Sequence, residues 1–361
     1  APARGKIKIP PAKVPPEKKA EFLWRADRRA RSFPHVRQVS VGLRDSLQEV
    51  LVANSEGMWA EDQRTQIFFY TQAVAERSSL VQTAYEPLGG TAGYEILGGE
   101  ACERVAEAAA TRARMLLSAA KPKGGPMTVV LSSRAGGTMV HEAVGHGLEA
   151  DLAQEGQSVY EGKVGERVAS PLLTIADDAT LKGKRGSYRF DDEGTPSQKT
   201  VLIEKGILKG YLQSRLTAFK GGARPTGNGR RESYECLPVV RMTNTMILPG
   251  KDDPDAIVRS VERGLFVTQM GGGQVNTVNG DFVFEVSEGY LIEKGKVGPP
   301  VRGATLVGNG PRVLEEIDRV GNDLGFGIGT CGKDGQDVPV ADAQPTLRIP
   351  ELVVGSQESS K

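Results

Sequence analysis

The stretch VRQVSVGLRDSLQEVLVANSEGMWAEDQRTQIFFYTQA, residues 36–73, decides the fold class. Apolar and polar residues alternate over Val36–Leu43 and again over Gln48–Ala53, the period-two signature of strands with one buried face. Asn54-Ser55-Glu56-Gly57 carries turn chemistry, and a further alternating run follows at Gln66–Ala73, so an antiparallel meander is expected. A meander flanked by helices indicates an α+β, antiparallel-sheet-rich architecture and not a wound parallel sheet.

Upstream, the tract containing Pro10, Pro11, Pro15 and Pro16 reads as a linker over residues 1–20. Glu17–Arg31, with Phe22, Leu23 and Ala26 among charges, is expected to be a helix that Pro34 ends. Downstream, residues 98–119 form an Ala-rich amphipathic helix with Cys102, Val105, Ala109 and Leu116 on one stripe. Residues 21–120 therefore read as an N-terminal α+β part and 121–361 as a second domain. That second part starts with a buried-type strand, Met127–Leu131, feeding a helix over about 136–152, and continues rich in strands and glycine. Leu202-Ile203-Glu204-Lys205-Gly206 and Leu291-Ile292-Glu293-Lys294-Gly295 repeat one hairpin pattern, too short to indicate a duplicated domain.

With 361 residues and 39% apolar content, the chain can bury one large core or two ordinary ones. The net charge of +1 gives no global field for nucleic acid or an anionic membrane. Residues 1–40 hold 11 Lys plus Arg against 3 acids, a net +8 that leaves the rest near −7, and such a tract reads as a solvated linker and exposed helix face. No apolar run is long enough for a membrane span. Three scattered cysteines (102, 236, 331) form no disulfide framework, which points to a reducing, cytoplasmic setting. The chain starts at Ala1 with no initiator Met, which leaves room for an upstream segment.

Only three histidines exist, and two fall in His141-Glu142-Ala143-Val144-Gly145-His146. On a helical wheel, Met139, Val140, Ala143, Val144, Gly147 and Leu148 share one arc, while His141, Glu142, Gly145, His146 and Glu149 take the other. The common zinc-hydrolase helix spaces its histidines four apart; five apart, they diverge on a straight α-helix. A local i to i+5 widening or a break at His146 would realign them, and Gly145 and Gly147 are placed to ease it.

Hydrolytic zinc needs a third protein ligand beside a water. His35, Cys102, Cys236 and Cys331 are the remaining His and Cys residues. Cys331 stands apart because Gly329-Thr330-Cys331-Gly332-Lys333-Asp334-Gly335 reads as a glycine-rich loop, although alone it reads equally well as a small buried thiol. With Zn2+ bound, Glu142 would take the proton of the attacking water. Glu149 reads either as a solvated helix residue or as a partner of His146 or of a peptide amine. Met270-Gly271-Gly272-Gly273-Gln274-Val275 reads as a bare-backbone loop on which an extended peptide could add as a strand. It lacks the Lys-Ser/Thr ending of a phosphate cradle.

The chain resembles the TldD branch of the TldD/PmbA family of metalloproteases. The resemblance rests on His141–Asp151, Gly194-Thr195-Pro196-Ser197, Gly227-Asn228-Gly229-Arg230, Met270–Gly273 and Cys331–Gln336, and it covers nearly everything after about residue 20. It implies zinc held by His141, His146 and Cys331, with Glu142 as catalytic acid/base. It further implies cleavage of unfolded or leader-type peptides in a dimeric chamber, as a homodimer or with a PmbA/TldE-type paralogue that lacks the metal motif. Members of the family are also expected to carry roughly a domain's worth of sequence before the point matching Ala1. Two competing readings are a catalytically silent assembly or regulatory subunit and a hydrolase of small amides.

Overall fold

The structure, a computed structural model, describes residues 7–356. Residues 1–6 of the expected linker lie outside the described residues, and regular structure begins inside the rest of it. A 3-10 turn occupies Pro11–Lys13, and helix α1 spans Pro16–Arg31 with proline at its start, where a missing N–H costs nothing.

The expected meander is present and longer than its alternation suggests. Strand β1 (Val36–Ala53) runs unbroken and pairs with β2 (Trp59–Arg77) from Val36↔Ala75 to Ala53↔Trp59. Its polar middle is held from outside the sheet, since Asp45 accepts from the Tyr94 hydroxyl and pairs with Lys19 at 2.6 Å. A third strand, β3 (Leu80–Gly90), was not apparent from alternation; it contains Pro87 and lies at the sheet's edge, where a missing N–H is tolerated. Helix α1 and helix α2 (Ala101–Leu116) cover one face of this sheet around Ile67, Phe69, Ala73, Cys102 and Ala109.

The strands after α2 are β4 (Gly125–Leu131), β5 (Ile175–Asp178), β6 (Lys199–Glu204), β7 (Ile207–Leu208), β8 (Gly229–Arg230), β9 (Val239–Val240) and β10 (Asn244–Ile247). They continue with β11 (Arg263–Val275), β12 (Asp281–Glu293), β13 (Lys296–Val301), β14 (Ala304–Asn309), β15 (Arg319–Val320), β16 (Gly325–Lys333), β17 (Gln336–Gln344) and β18 (Leu347–Ser356). One sheet runs β16-β17-β10-β5-β6-β7. In the other, β11 pairs β4, β4 pairs β18, β18 pairs β14, β14 pairs β12, and β12 returns to β11, so the pairings close a ring. Most of these pairings are antiparallel; β10 with β17 and β11 with β4 are parallel. Both repeated hairpins turn through left-handed residues, Lys205-Gly206 and Lys294-Gly295. The fold is α+β and rich in sheet, with the His141–Leu148 segment buried between the two C-terminal sheets.

A buried arginine joins the meander to the closed sheet. Arg112 on α2 donates to Glu288 at 2.7 Å, to Glu86 at 2.9 Å and to the Tyr85 carbonyl at 3.2 Å. Arg112 and Glu288 are both buried, so removing the guanidinium leaves the Glu288 charge without its cation. Arg112→Met should therefore lower unfolding free energy by roughly 3–5 kcal/mol. Adding Glu288→Gln should recover part of that loss, and urea titrations of the single and double variants check both expectations.

Candidate metal centre

The helix expected over about 136–152 is divided, and its division aligns the histidines. Thr138–Val140 is α-helical, His141–Gly145 is one π turn, His146–Leu148 is 3-10, and Ala150–Gln154 is again α. Within the π turn the His146 N–H donates to the His141 carbonyl, the i to i+5 bond that the spacing requires.

The glycines serve this turn through space more than through backbone freedom. Gly145 has φ −55 and ψ −55, ordinary helical values, but a Cβ there would lie 1.9 Å from Met242 Sδ. At Gly147 a Cβ would lie 2.8 Å from the Tyr160 ring, and at Gly137 2.3 Å from the Ala343 nitrogen. Carbonyls released by the broken ladder find hydroxyls: Tyr160 donates to Ala143 at 3.1 Å and Ser158 donates to Gly147.

Cys331 arrives on a strand and not on the expected loop. It pairs Val338 in the β16–β17 hairpin, whose left-handed turn is Asp334-Gly335. The surrounding glycines permit close packing, since a Cβ at Gly325 would lie 2.0 Å from the Ser133 carbonyl oxygen and one at Gly327 2.5 Å from Asp342 Oδ1. Arg241, fully buried, donates to the carbonyls of Cys331 and, at 3.0 Å, of Gln336, fixing both arms of the hairpin.

Three side chains thus converge. The ligand atoms of His141, His146 and Cys331 all lie within 4.8 Å of one another, with Cys331 Sγ 3.4 Å from His146 Nε2. The imidazoles stand edge to face, 5.1 Å between centroids at 88°. Among the described residues His35, Cys102 and Cys236 stand outside this group. Burial pushes the Cys331 thiol up, but hydrogen bonds and charge from His141 and His146 outweigh it and bring the thiol down to about 5. Burial likewise opposes protonation of His146, and Glu149 with Cys331 reverses that and raises it well above its ordinary value.

Glu149 departs from the solvated reading, being fully buried behind His146. Its Oε2 lies 3.0 Å from His146 Nδ1 and accepts from Lys333 Nζ at 3.1 Å. Lys333 also donates to Asp151 at 2.8 Å and to the Val240 carbonyl at 3.1 Å. These contacts hold the buried Glu149 carboxylate against the His146 imidazole. Lys333, Asp151, Arg241 and Asp342, which accepts from the Gly137 N–H at 3.0 Å, were not singled out from sequence. A charged residue flanked by alanines in a strand, as in Ala341-Asp342-Ala343, is the one local signal among them.

A cleft of about 1380 Å³ opens over His141 and Glu142. Its walls include Tyr85–Gly89 of β3 and Gly325–Thr330 of β16, and both strands are sheet edges. Burial raises the Glu142 carboxyl above its usual range against the lowering effect of both histidines. Gly271 and Gly272 line the cleft, while Gly273 does not. The glycine run expected as a loop is the bulged end of β11, where pairing with β12 shifts between Met270 and Gly273. A Cβ at Gly272 would meet nothing within 4 Å, whereas at Gly273 it would lie 1.9 Å from the Phe284 ring.

Two imidazoles and a low-pKa thiol are a donor set suited to zinc, and the buried His141 Nδ1 has no hydrogen-bond partner. The residues therefore fit a bound metal ion.

The family model described as the PmbA/TldA metallopeptidase central domain matches residues 9–117, and the corresponding C-terminal domain matches 124–356. A protein named metalloprotease TldD homolog from Haemophilus influenzae is 44% identical over 347 residues, covering 94% of this chain and 72% of that protein. A Thermotoga maritima structure described as a putative modulator of a DNA gyrase matches with TM-score 0.82 at 24% identity, over 98% of this chain and 80% of that one. TldE from Thermococcus kodakarensis matches with TM-score 0.74 at 20% identity, over 98% and 78%. Sequence and fold together place this chain in the PmbA/TldD family of metallopeptidases, beside the TldD homologues.

Proposed function

We propose that this protein is a zinc peptidase that hydrolyses unfolded or extended polypeptides. The observation that carries the reading is the meeting of His141, His146 and Cys331 at one point directly beneath a cleft onto which Glu142 opens. His141, His146 and Cys331 would hold the zinc ion, which when bound would supply Lewis acidity to a water and to a carbonyl oxygen.

The chain's own residues do the rest. Glu142, which lines the cleft beside His141, accepts the proton of the attacking water at a carboxylate oxygen and returns it to the departing amide nitrogen. Glu149, anchored by Lys333, holds His146 so that Nε2 faces Cys331. Arg241 and the β16–β17 pairing hold the Cys331 backbone.

The volume of the cleft supports a polymer over a small amide, for pockets of small ligands run to about 300–1,000 Å³. Its edge strands and the open Gly271-Gly272 backbone offer main-chain groups to an extended peptide, a mode that reads shape more than side chains. As part of the same reading, the fold shared with TldE supports association with a second chain of like architecture, either a copy of this one or a paralogue. The three free cysteines agree with a reducing, cytoplasmic setting.

Metal analysis of the purified protein should find stoichiometric zinc, strongly reduced in Cys331→Ala. Glu142→Ala should retain zinc and lose peptidase activity by a factor on the order of 10² or more. Zinc with no hydrolysis by the unmodified protein would instead favour a silent assembly subunit. A second expectation concerns substrate: a denatured protein should be cut while its compact native form resists, and equal cleavage of both would exclude an extended-chain site.

A further inference from the structure

Lys184 and Arg185 lie side by side on the cleft wall without a carboxylate between them. Arg185 is only 8% exposed. Its guanidinium donates to the Gly329 carbonyl at 3.1 Å and, at 3.4 Å, to Gln66 Oε1 and Thr330 Oγ1, and it stacks 4.7 Å from the centroid of Phe68. Every one of these partners is neutral. The Lys184 ammonium sits 3.5 Å from the centroid of Phe326, a cleft residue of β16. Arg112, on the same cleft, is matched by Glu86 and Glu288.

Hydrogen bonds to neutral acceptors satisfy the donors of a buried guanidinium but leave its charge uncompensated, an expensive arrangement. Burial draws Arg185 down to about 10, with Arg44 and Arg230 adding to the lowering and Tyr85 opposing it. Burial lowers Lys184 as well. The carboxylates lining the cleft are engaged or lie elsewhere: Glu86 pairs with Arg112, Asp342 binds the Gly137 N–H, Glu285 stands on β12, and Glu142 opens beside His141. A purely structural role explains part of Arg185, which ties the edge of β16 to β2. It leaves the Lys184 ammonium, which lies on the face of Phe326, with no carboxylate partner among the described residues.

We propose that Lys184 and Arg185 form a carboxylate-binding subsite of the cleft, which receives an anionic group of an extended peptide, either its C-terminal carboxylate or an acidic side chain. The inference deepens the peptidase reading by giving its cleft a charge preference. Thr330, in contact with Arg185, precedes Cys331 along β16, and the subsite lines the same cleft as His141 and Glu142.

Binding separates this proposal from hydrolysis. Glu142→Ala protein, with its metal, is titrated by fluorescence anisotropy with short labelled unstructured peptides that differ in one feature: free acid against C-terminal amide, and internal Glu against Gln. At low salt at least one carboxylate form should bind about tenfold or more tightly than its neutral isostere, as for a charge-assisted contact, and the pair that shows the difference names the source. Lys184→Met, which keeps the stem on Phe326, should remove much of that advantage, and Arg185→Met the remainder, with binding of the neutral peptides unchanged. Equal binding of acid and neutral forms, or an advantage that survives both substitutions, overturns the subsite, as does failure to bind any of the peptides. If the unmodified protein cuts no peptide yet the charge preference holds, the peptidase reading fails and the subsite stands.

Discussion

The structure around the site depends on one hydrogen bond out of register, from the His146 N–H to the His141 carbonyl. Two histidines five apart on a straight helix point to different sides, and only a widened turn lets them share an ion. The widening displaces backbone, and the neighbourhood is shaped to receive it. Gly137 lets the segment start against β17, and Gly145 leaves room for the Met242 thioether. The Tyr160 and Ser158 hydroxyls cap carbonyls that the helix ladder abandons. A π turn that had to leave those carbonyls bare in a core would cost about 1–3 kcal/mol for each, so these contacts are conditions for the turn to exist.

Charge is the second constraint. A thiolate, two imidazoles and several carboxylates share a largely buried volume, which is tolerable only where each has a counterpart. Glu149 carries no solvent contact and is balanced by Lys333 and His146; Lys333 is balanced in turn by Asp151. Cys331 leans on both histidines. Substituting any one member leaves an uncompensated group, so Lys333 and Asp151 are coupled through Glu149 to His146. Arg241 adds a mechanical link, holding the Cys331 carbonyl from across the hairpin.

How much of this was legible follows from the range of each signal. The meander, α1, α2 and β4 announce themselves through local periodicity, and the histidine spacing already demanded a distorted helix. Cys331 could be set apart from the other cysteines, but glycine richness suggested a loop; in the strand those glycines serve contacts with Ser133 and Asp342, nearly two hundred residues distant or in the partner strand. Glu149 looked solvated because a helical wheel assumes one solvent face, and that face is covered here by the β16–β17 hairpin bringing Lys333. Strand β3 was hidden by Pro87 and Gly89-Gly90, which weaken alternation and are tolerated at an edge. What escaped was in each case long-range packing, which no window of sequence records.

The cleft gives the last step. Exposed strand edges invite aggregation, and folded proteins usually cover or blunt them. Here two edges, β3 and β16, face one cavity. Neither edge is blunted by a full set of inward charges, and of the cations that line the cleft Lys184 and Arg185 stand beside the β16 edge. A surface of this kind can pair with any chain that is already extended and cannot pair with one whose hydrogen bonds are satisfied internally. On the proposed peptidase reading, a preference for unfolded chains would rest on the strand edges that face the cleft, with the charge of Lys184 and Arg185 adding a bias on top.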